Sequence, residues 1–440
     1  MTMQIPQSVK NCIDALENAG FATYLVGGCV RDAYLGLVPH DFDLCTAALP
    51  EQTEAVFAGL RLVTAGRKHG TIGVVTDSGV VEITTFRTEG GYTDSRHPDW
   101  VKFVPDIEGD LARRDFTCNA MAYSPTRGFA DPFGGRKDLD DHILRAVGHP
   151  AARFEEDALR ILRGIRFAAK FGLTVEKQTL SAMLALSPTL DSLARERVFE
   201  ELSRFLLCAE AEHLLAFAPV LASAIEEIAP MIGFDQRSPH HAYDVFTHVA
   251  YVTAAVPPLP SLRWAALLHD VGKPATFTTD ETGRGHFYSH AKVSAEMADE
   301  ILRRLKSPTA LREQVVLLIS QHMTKLEPEK KLLRRRLSKL GREHLELLLI
   351  LQEADMGSKG TGKPEEMVQF PRLRSLLEEI YEENACLSLK ELAVNGNDLM
   401  ALGITGRQIG TTLNHLLELV LDDQIPNEKG VLLKAAKGLI

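Results

Sequence analysis

Long apolar runs are missing from this sequence. Its most apolar stretches, LRWAALLHDVG (262–272) and LREQVVLLISQHM (311–323), are interrupted by charges and fall short of the ~20 residues a membrane-spanning helix needs. The opening MTMQIPQSVKNCIDALENAG has no apolar core of the secretory kind. Paired cysteines are missing too. Cys12, Cys29, Cys45, Cys118, Cys208 and Cys386 are scattered without CxxC spacing, which reads as reduced, packed thiols and not as a disulfide framework or zinc site. A cytoplasmic protein with no membrane partner is expected. There is no basic excess either: 49 Lys and Arg face 59 Asp and Glu, a net charge of −10. That argues against nucleic-acid binding through a generally basic surface. A local groove stays open, and KKLLRRRLSKL (330–340) is a candidate for one, with a solvated helix face as the plainer reading.

What is present is an ordinary globular composition, 45% hydrophobic and 25% charged. At 440 residues, two to four domains are expected. The first ~130 residues alternate between strand and helix patterns. FATYLV (21–26) is a short apolar run ending at Gly27-Gly28, VRDAYLG (30–36) is helical in pattern, and DFDLCT (41–46) is strand-like. TIGVVTDSGVVEITTF (71–86) is two β-branched runs around Asp77-Ser78-Gly79, a hairpin signature. A Gly-, Asp-, Pro- and Arg-rich loop follows at 88–100, and from about 138 the pattern is helical to the end. Proline-rich breaks near 257–260 and 363–371 mark joints.

Three carboxylates draw attention first. Asp41 and Asp43 are one residue apart in the strand-like segment, so a period of two puts both on one face, roughly 7 Å apart. Two hard oxygen donors at that spacing can bridge magnesium ions, and Glu82 in the next hairpin is the obvious third ligand. Upstream, Gly27-Gly28 lets a backbone approach a phosphate, while Arg31 and the start of its helix favour an anion.

GGCVRDAYLGLVPHDFDL (27–44) resembles the signature of polymerase-β-type nucleotidyltransferases, in the class that contains bacterial CCA-adding enzymes and poly(A) polymerases. The resemblance runs on through ARRDFTCNAMAY (112–123), DPFGGRKDLDDHILRAVG (131–148), RFEEDALRILRGIRFAAKFGL (153–173) and ARERVFEEL (194–202). It implies an α+β fold: a nucleotidyltransferase head of mixed sheet and helices, then a long all-α neck, body and tail. Residues 1–137 are expected as the catalytic head, 138–230 as a neck that recognises the base, and 363–440 as a tail for tRNA contact. It further implies that Arg113, Arg114 and Asp115 handle triphosphate and ribose with Asn119 close by, which suits guanidiniums and a carboxylate. Asp157 and Arg160, three apart on a helix and so neighbours on one face, would template the incoming base. Arg163 and Arg166 would reach phosphates.

The resemblance implies addition of C, C and A in turn to the 3′ end of tRNA from CTP and ATP, with Mg2+ as cofactor and pyrophosphate released. Members that add only CC have a shortened loop before the RRD motif. Here 86–115 is full length with Gly90-Gly91 as a hinge. An A-adding enzyme or poly(A) polymerase on the same scaffold is the near alternative. An HD phosphohydrolase with an RNA-binding head is the distant one.

His248, the doublet His269-Asp270, His290, His322 and Asp355 follow in order. LLHDVGKP (267–274) and HFYSHAKVSAEMADEIL (286–302) resemble the HD metal-dependent phosphohydrolase superfamily, which sets residues 231–362 as an HD-type helical domain. Neutral imidazoles with carboxylates make a mixed nitrogen/oxygen site for a divalent transition metal.

Overall fold

The β-branched runs pair as their sequence requires. In the computed structural model, which describes residues 3–90, 100–361, 367–383 and 385–438, nine strands form before residue 131. They are Thr23–Val26 (β1), Leu44–Thr46 (β2), Leu62–Val63 (β3), Thr71–Thr76 (β4), Gly79–Thr85 (β5), Arg87–Gly90 (β6), Trp100–Phe103 (β7), Ala122–Ser124 (β8) and Gly128–Ala130 (β9). Strands β4 and β5 close across Asp77-Ser78, with registers from Thr71↔Thr84 to Thr76↔Gly79, and Gly79 takes φ +123, a conformation that costs glycine little.

Seven of these strands make one mixed sheet in the order β3-β4-β5-β2-β1-β8-β9. Its central pair, β2 and β5, is parallel; its other pairs are antiparallel. Beneath it Val26, Cys45, Phe86, Leu111 and Ala122 form a buried core with helix Ile107–Ala112. The segment expected as a loop at 88–100 is partly a ribbon, because β6 pairs with β7 from Arg87↔Phe103 to Gly90↔Trp100. The expected hinge residue Gly91 and the rest of 91–99 lie outside the described residues.

After residue 138 the described residues are mostly helical, with two small exceptions among them. Ile143–Leu144 pairs with Thr174–Val175, and Phe277–Thr279 pairs with Gly285–Phe287. The chain divides into two units, Met1–Ala229 and Pro230–Ile440. In the second, helix Pro260–Leu268 is buried from Ser261 through Leu268. A helix buried all round belongs in a core, and the next two residues, His269 and Asp270, are therefore delivered to the interior. Leu392, Leu399, Leu416 and Leu432 form a separate core near the C-terminus. Among the described residues no helix is long and apolar enough to cross a membrane.

Candidate functional sites

In the first unit, a cavity of about 500 Å³ brings Gly27, Gly28 and Asp43 together with Asp157 and Arg160. Seven arginines and three aspartates line it, a balance that favours a polyanion. Gly27 is there of necessity: it has φ +72, and a Cβ would lie 2.7 Å from the Arg114 guanidinium. At Gly28 a Cβ would meet only Arg31, at 3.6 Å.

The carboxylates differ from expectation in one respect. Strand β2 begins at Leu44, so Asp41 and Asp43 precede it. The ladder reaches only as far as the Asp43 carbonyl, which accepts from Val26 N–H at 3.1 Å. Beyond that, β1 has turned away at Gly27 and residues 41–42 have no partner strand. The parallel register Leu44↔Ile83 carries on one step to set Asp43 beside Glu82. All three carboxylates are solvent-exposed. Even so, partial enclosure, then Glu82, then Asp41 push Asp43 above the usual carboxylate range, with Arg114 pulling the other way. Mutual repulsion of this kind is what a bound cation relieves, so the donor set fits magnesium.

Around the cavity most charged groups are already committed. Asp115 is buried; burial would raise it, but Arg163, Asn119 and the Phe116 amide hold it down to about 2. Arg163 Nε donates to it at 2.8 Å and Asn119 Nδ2 at 3.0 Å. Arg31 donates to Asn119 and Asp32 and lies against Phe167 and Phe171, 5.2 and 4.5 Å from their ring centres. Arg166 pairs with buried Glu201 at 2.6 Å. Arg114 reaches Asp110 at 3.2 Å. Arg113 is held by Asp110 at 2.8 Å and by Glu89 of the ribbon at 3.1 Å, which ties β6 to the wall of the cavity.

Asp157 and Arg160 do not form the expected helical pair. Asp157 is extended (φ −146, ψ 102) and ends helix Pro150–Glu156, and Arg160 belongs to the next helix, Leu159–Phe171. One Asp157 oxygen turns forward to accept from Leu159 N–H, two residues on, at 3.0 Å, and the other accepts from Arg197 at 2.8 Å. Arg160 donates instead to Glu156 and to the carbonyls of Arg153 and Arg113. Such a short side-chain-to-backbone bond offers the chain an alternative to the helix at that point. Both still face the cavity. Arg197 also lines it, and the sequence reading missed it although its motif, ARERVFEEL, was in view.

The second unit gathers all six expected HD residues. His248 Nε2 lies 3.1 Å from Asp355 and 3.6 Å from Asp270. His269 Nε2 is 3.2 Å from Asp270 Oδ2. On the other oxygen of Asp270, His290 and His322 approach to 3.4 and 3.9 Å, with their Nε2 atoms 3.3 Å apart. Two triads thus share Asp270, each with its ligand atoms within 4.8 Å of one another.

The outer nitrogens explain the aim. Each Nδ1 lies 2.7–3.2 Å from a backbone carbonyl, of Ser358, Ala266, Phe287 and Ile319 in turn. A carbonyl can only accept, so each Nδ1 carries the proton and each Nε2 presents a lone pair. Lone pairs facing a buried carboxylate repel it unless a positive charge lies between. Accordingly His248 Nε2 and His269 Nε2 are buried with no hydrogen-bond partner. Burial opposes charge on His269, yet Asp270 holds that ring above its ordinary value, and Asp270 is held well below its own by His269 and Lys273 against burial. The cluster therefore demands a cation and fits one.

Two neighbours were missed. Buried Lys273 sits 2.7 Å from Asp270 and 2.9 Å from Gln236. His241 stands edge-on to His248, 5.0 Å away, and burial, then Lys273 and His248, pull it down to about 3. Lys273 lies inside LLHDVGKP, three residues after Asp270, which was the available signal.

The candidate basic groove at 330–340 is largely spent on the fold. Lys330 pairs with Glu379 and Glu383, Lys331 and Arg335 with Asp422, and Arg334 with Glu383 and Asp423. These charges pin helix Lys330–Leu340 to helix Gln369–Glu382 and to the turn after Arg407–Leu421.

Comparison with known proteins matches three segments of the chain to described families. A family profile described as the Poly A polymerase head domain matches residues 23–145, one described as the probable RNA and SrmB-binding site of polymerase A matches 172–216, and the HD domain profile matches 240–356. The CCA-adding enzyme of Streptococcus pneumoniae R6 is 39% identical over 268 residues, 60% of this chain and 65% of that enzyme. That of Lactiplantibacillus plantarum is 31% identical over 439 residues, 98% of this chain and 96% of the relative. Among solved structures, the Bacillus stearothermophilus CCA-adding enzyme in complex with CTP is similar with a TM-score of 0.71 and 26% identity, covering 99% of this chain and 98% of that one.

Proposed function

This chain belongs to the CCA-adding enzyme family of tRNA nucleotidyltransferases, and on that premise we propose that it adds C, C and A in turn to the 3′ end of tRNA from CTP and ATP. The observation that carries this reading is the arginine-lined cavity with Asp43 among its walls together with Asp157 and Arg160. In this reading the tRNA 3′-hydroxyl attacks the α-phosphate and pyrophosphate leaves. Magnesium held by Asp41, Asp43 and Glu82 would supply activation of the hydroxyl and neutralisation of the leaving group. Arg31, Arg114, Arg163 and Arg166 draw the triphosphate in, while Asp115 and Asn119 stand by the sugar. Residues 1–137 serve as head, 138–230 as neck, 231–362 as HD domain and 363–440 as tail, and the substrates put the reaction in the cytoplasm.

Cytosine and adenine both offer an exocyclic amine beside a ring-nitrogen acceptor. Asp157 can accept from the amine, and Arg160 can donate to the ring nitrogen. Uracil and guanine reverse the pattern. Each residue must share or release its present partner to do this, Arg197 for Asp157 and Glu156 for Arg160. Asp157→Ala or Arg160→Ala should raise UTP or GTP use relative to CTP and ATP by about tenfold, since a bidentate contact is worth ~1–3 kcal/mol. Competition among four NTPs measures this, and loss of rate with unchanged preference would make the pair structural.

Incubating the purified protein with tRNA lacking CCA and single NTPs tests the whole reading. Two C additions followed by one A support it; A addition alone selects an A-adding enzyme or poly(A) polymerase. The full-length segment 86–115 favours the complete sequence. In the HD domain, a divalent ion held by His248, His269, Asp270, His290, His322 and Asp355 would supply Lewis acidity toward a phosphoester. Lys273 would hold the phosphate oxygens there. A 2′,3′-cyclic phosphate at a damaged tRNA end or on a free nucleotide suits a repair enzyme.

A further inference from the structure

Two of the most exposed large apolar residues of the chain flank the HD cluster. Tyr288 is 71% exposed and stands two residues before His290; Met323 is 60% exposed and directly follows His322. Their neighbours His290 and His322 touch through their Nε2 atoms, so both exposed side chains start within a few residues of the metal-binding centre. We propose that the Tyr288 ring, with Met323 beside the other ligand, is a stacking platform for the base of a ribonucleotide whose phosphate lies at the HD cluster. This rests on the phosphohydrolase reading above and adds the residue that would recognise the base of its substrate.

The ring is held, not loose. Its inner face stacks on His286 at 5.4 Å and 7°, and His286 is fixed by Asp280 at 2.9 Å. Asp280 is in turn bound by the Thr282 and Arg284 amides at 2.9 and 3.1 Å. The hairpin Phe277–Thr279/Gly285–Phe287 that carries His286 is clamped by Phe234, edge-on to Phe277 at 5.2 Å. Its Gly285 lies so close to Gln236 that a Cβ would sit 2.2 Å from that carbonyl. On the other side the His290 ring donates back to the Phe287 carbonyl at 2.8 Å. An aromatic plane positioned from both directions, and left open to water, costs apolar exposure that folding does not recover. A base stacked on it recovers that cost, and does so for any base because each has a π face. Lys273 adds the anion preference: it is a buried cation against Asp270, and its ammonium lies 5.3 Å over the Phe287 ring, one residue from Tyr288.

The test uses the full chain loaded with manganese. Binding of adenosine 2′-monophosphate and of inorganic phosphate is measured by calorimetry, beside hydrolysis of adenosine 2′,3′-cyclic phosphate free and at the end of a tRNA. Tyr288→Ala should weaken adenosine 2′-monophosphate about tenfold and raise KM for the cyclic substrate by a similar factor, with kcat and phosphate binding unchanged. Tyr288→Trp should restore both. Any nucleotide bound in the head is common to all variants, and CTP incorporation should be unaltered. A larger effect on the tRNA end than on the free nucleotide identifies the RNA terminus as the source; the reverse identifies the mononucleotide. Unchanged nucleotide affinity in Tyr288→Ala, in a protein that still hydrolyses the cyclic phosphate, overturns the platform and leaves the phosphohydrolase. Absence of hydrolysis and of metal-dependent phosphate binding in the wild type overturns the phosphohydrolase, and the platform with it.

Discussion

Asp43→Asn should reduce nucleotide addition to below about 1% of wild type while leaving the melting temperature unchanged or slightly raised. Removing one preorganised electrostatic group from a reacting centre costs ~10²–10³ in rate, and loss of a metal ligand is at the upper end of such effects. The fold has little stake in this side chain: it is solvent-exposed, and its contribution to the sheet is made by its backbone carbonyl, which the substitution preserves. Its charge is a burden in the free protein, because Glu82 and Asp41 both raise it; the neutral amide relieves that repulsion. Asp41→Asn should behave alike. Incorporation of labelled CTP at saturating magnesium, paired with thermal melting, checks both parts. More than a few per cent residual activity in either variant would remove these carboxylates from the chemistry.

How much of this was legible beforehand follows the range of the forces involved. The hairpin at 71–86 was readable because β-branched runs about an Asp-Ser-Gly stretch are a local signal. The strand limit at Asp43 was not, because a strand exists only as far as a partner follows it, and the partner turns at Gly27. The spacing of Asp157 and Arg160 is compatible with a helix, but the Asp157 bond to the Leu159 amide and the pull of Arg197 from 40 residues away decide otherwise. Likewise the basic run 330–340 looked like a surface for phosphate until its partners arrived from residues 379–383 and 422–423. Such long-range ion pairs leave no periodic trace in a sequence. The six residues gathered in the HD domain could be picked out because histidines and carboxylates are chemically distinctive and fall in segments that resemble that superfamily. Lys273 and His241 were missed because each is ordinary alone and becomes notable only by contact with the cluster.

In the HD domain, Asp270→Asn should give the largest loss of the six, because both triads share that carboxylate. The neutral amide can offer one oxygen, not two charged ones, so divalent-metal affinity should fall by about 100-fold or more, beyond what is typical for a supporting residue. The same change strands a second charge. Lys273 is 95% buried, and its ammonium would be left with neutral partners, Gln236 and the new amide oxygen. Breaking a buried pair from one side costs ~3–5 kcal/mol, so the metal-free variant should also melt earlier. His269→Ala separates the two effects. It removes a lone-pair donor to the cation but leaves the Asp270–Lys273 contact at 2.7 Å intact, so metal should be lost with a smaller fall in melting temperature. Neither the cavity nor the carboxylates of the first unit include these residues, and His269→Ala should therefore add CTP and ATP at nearly the wild-type rate. Elemental analysis of the purified variants, melting with and without added manganese, and single-nucleotide incorporation give the three readings. An Asp270→Asn protein that binds manganese as tightly as wild type would mean that the four imidazoles aim at something other than a metal.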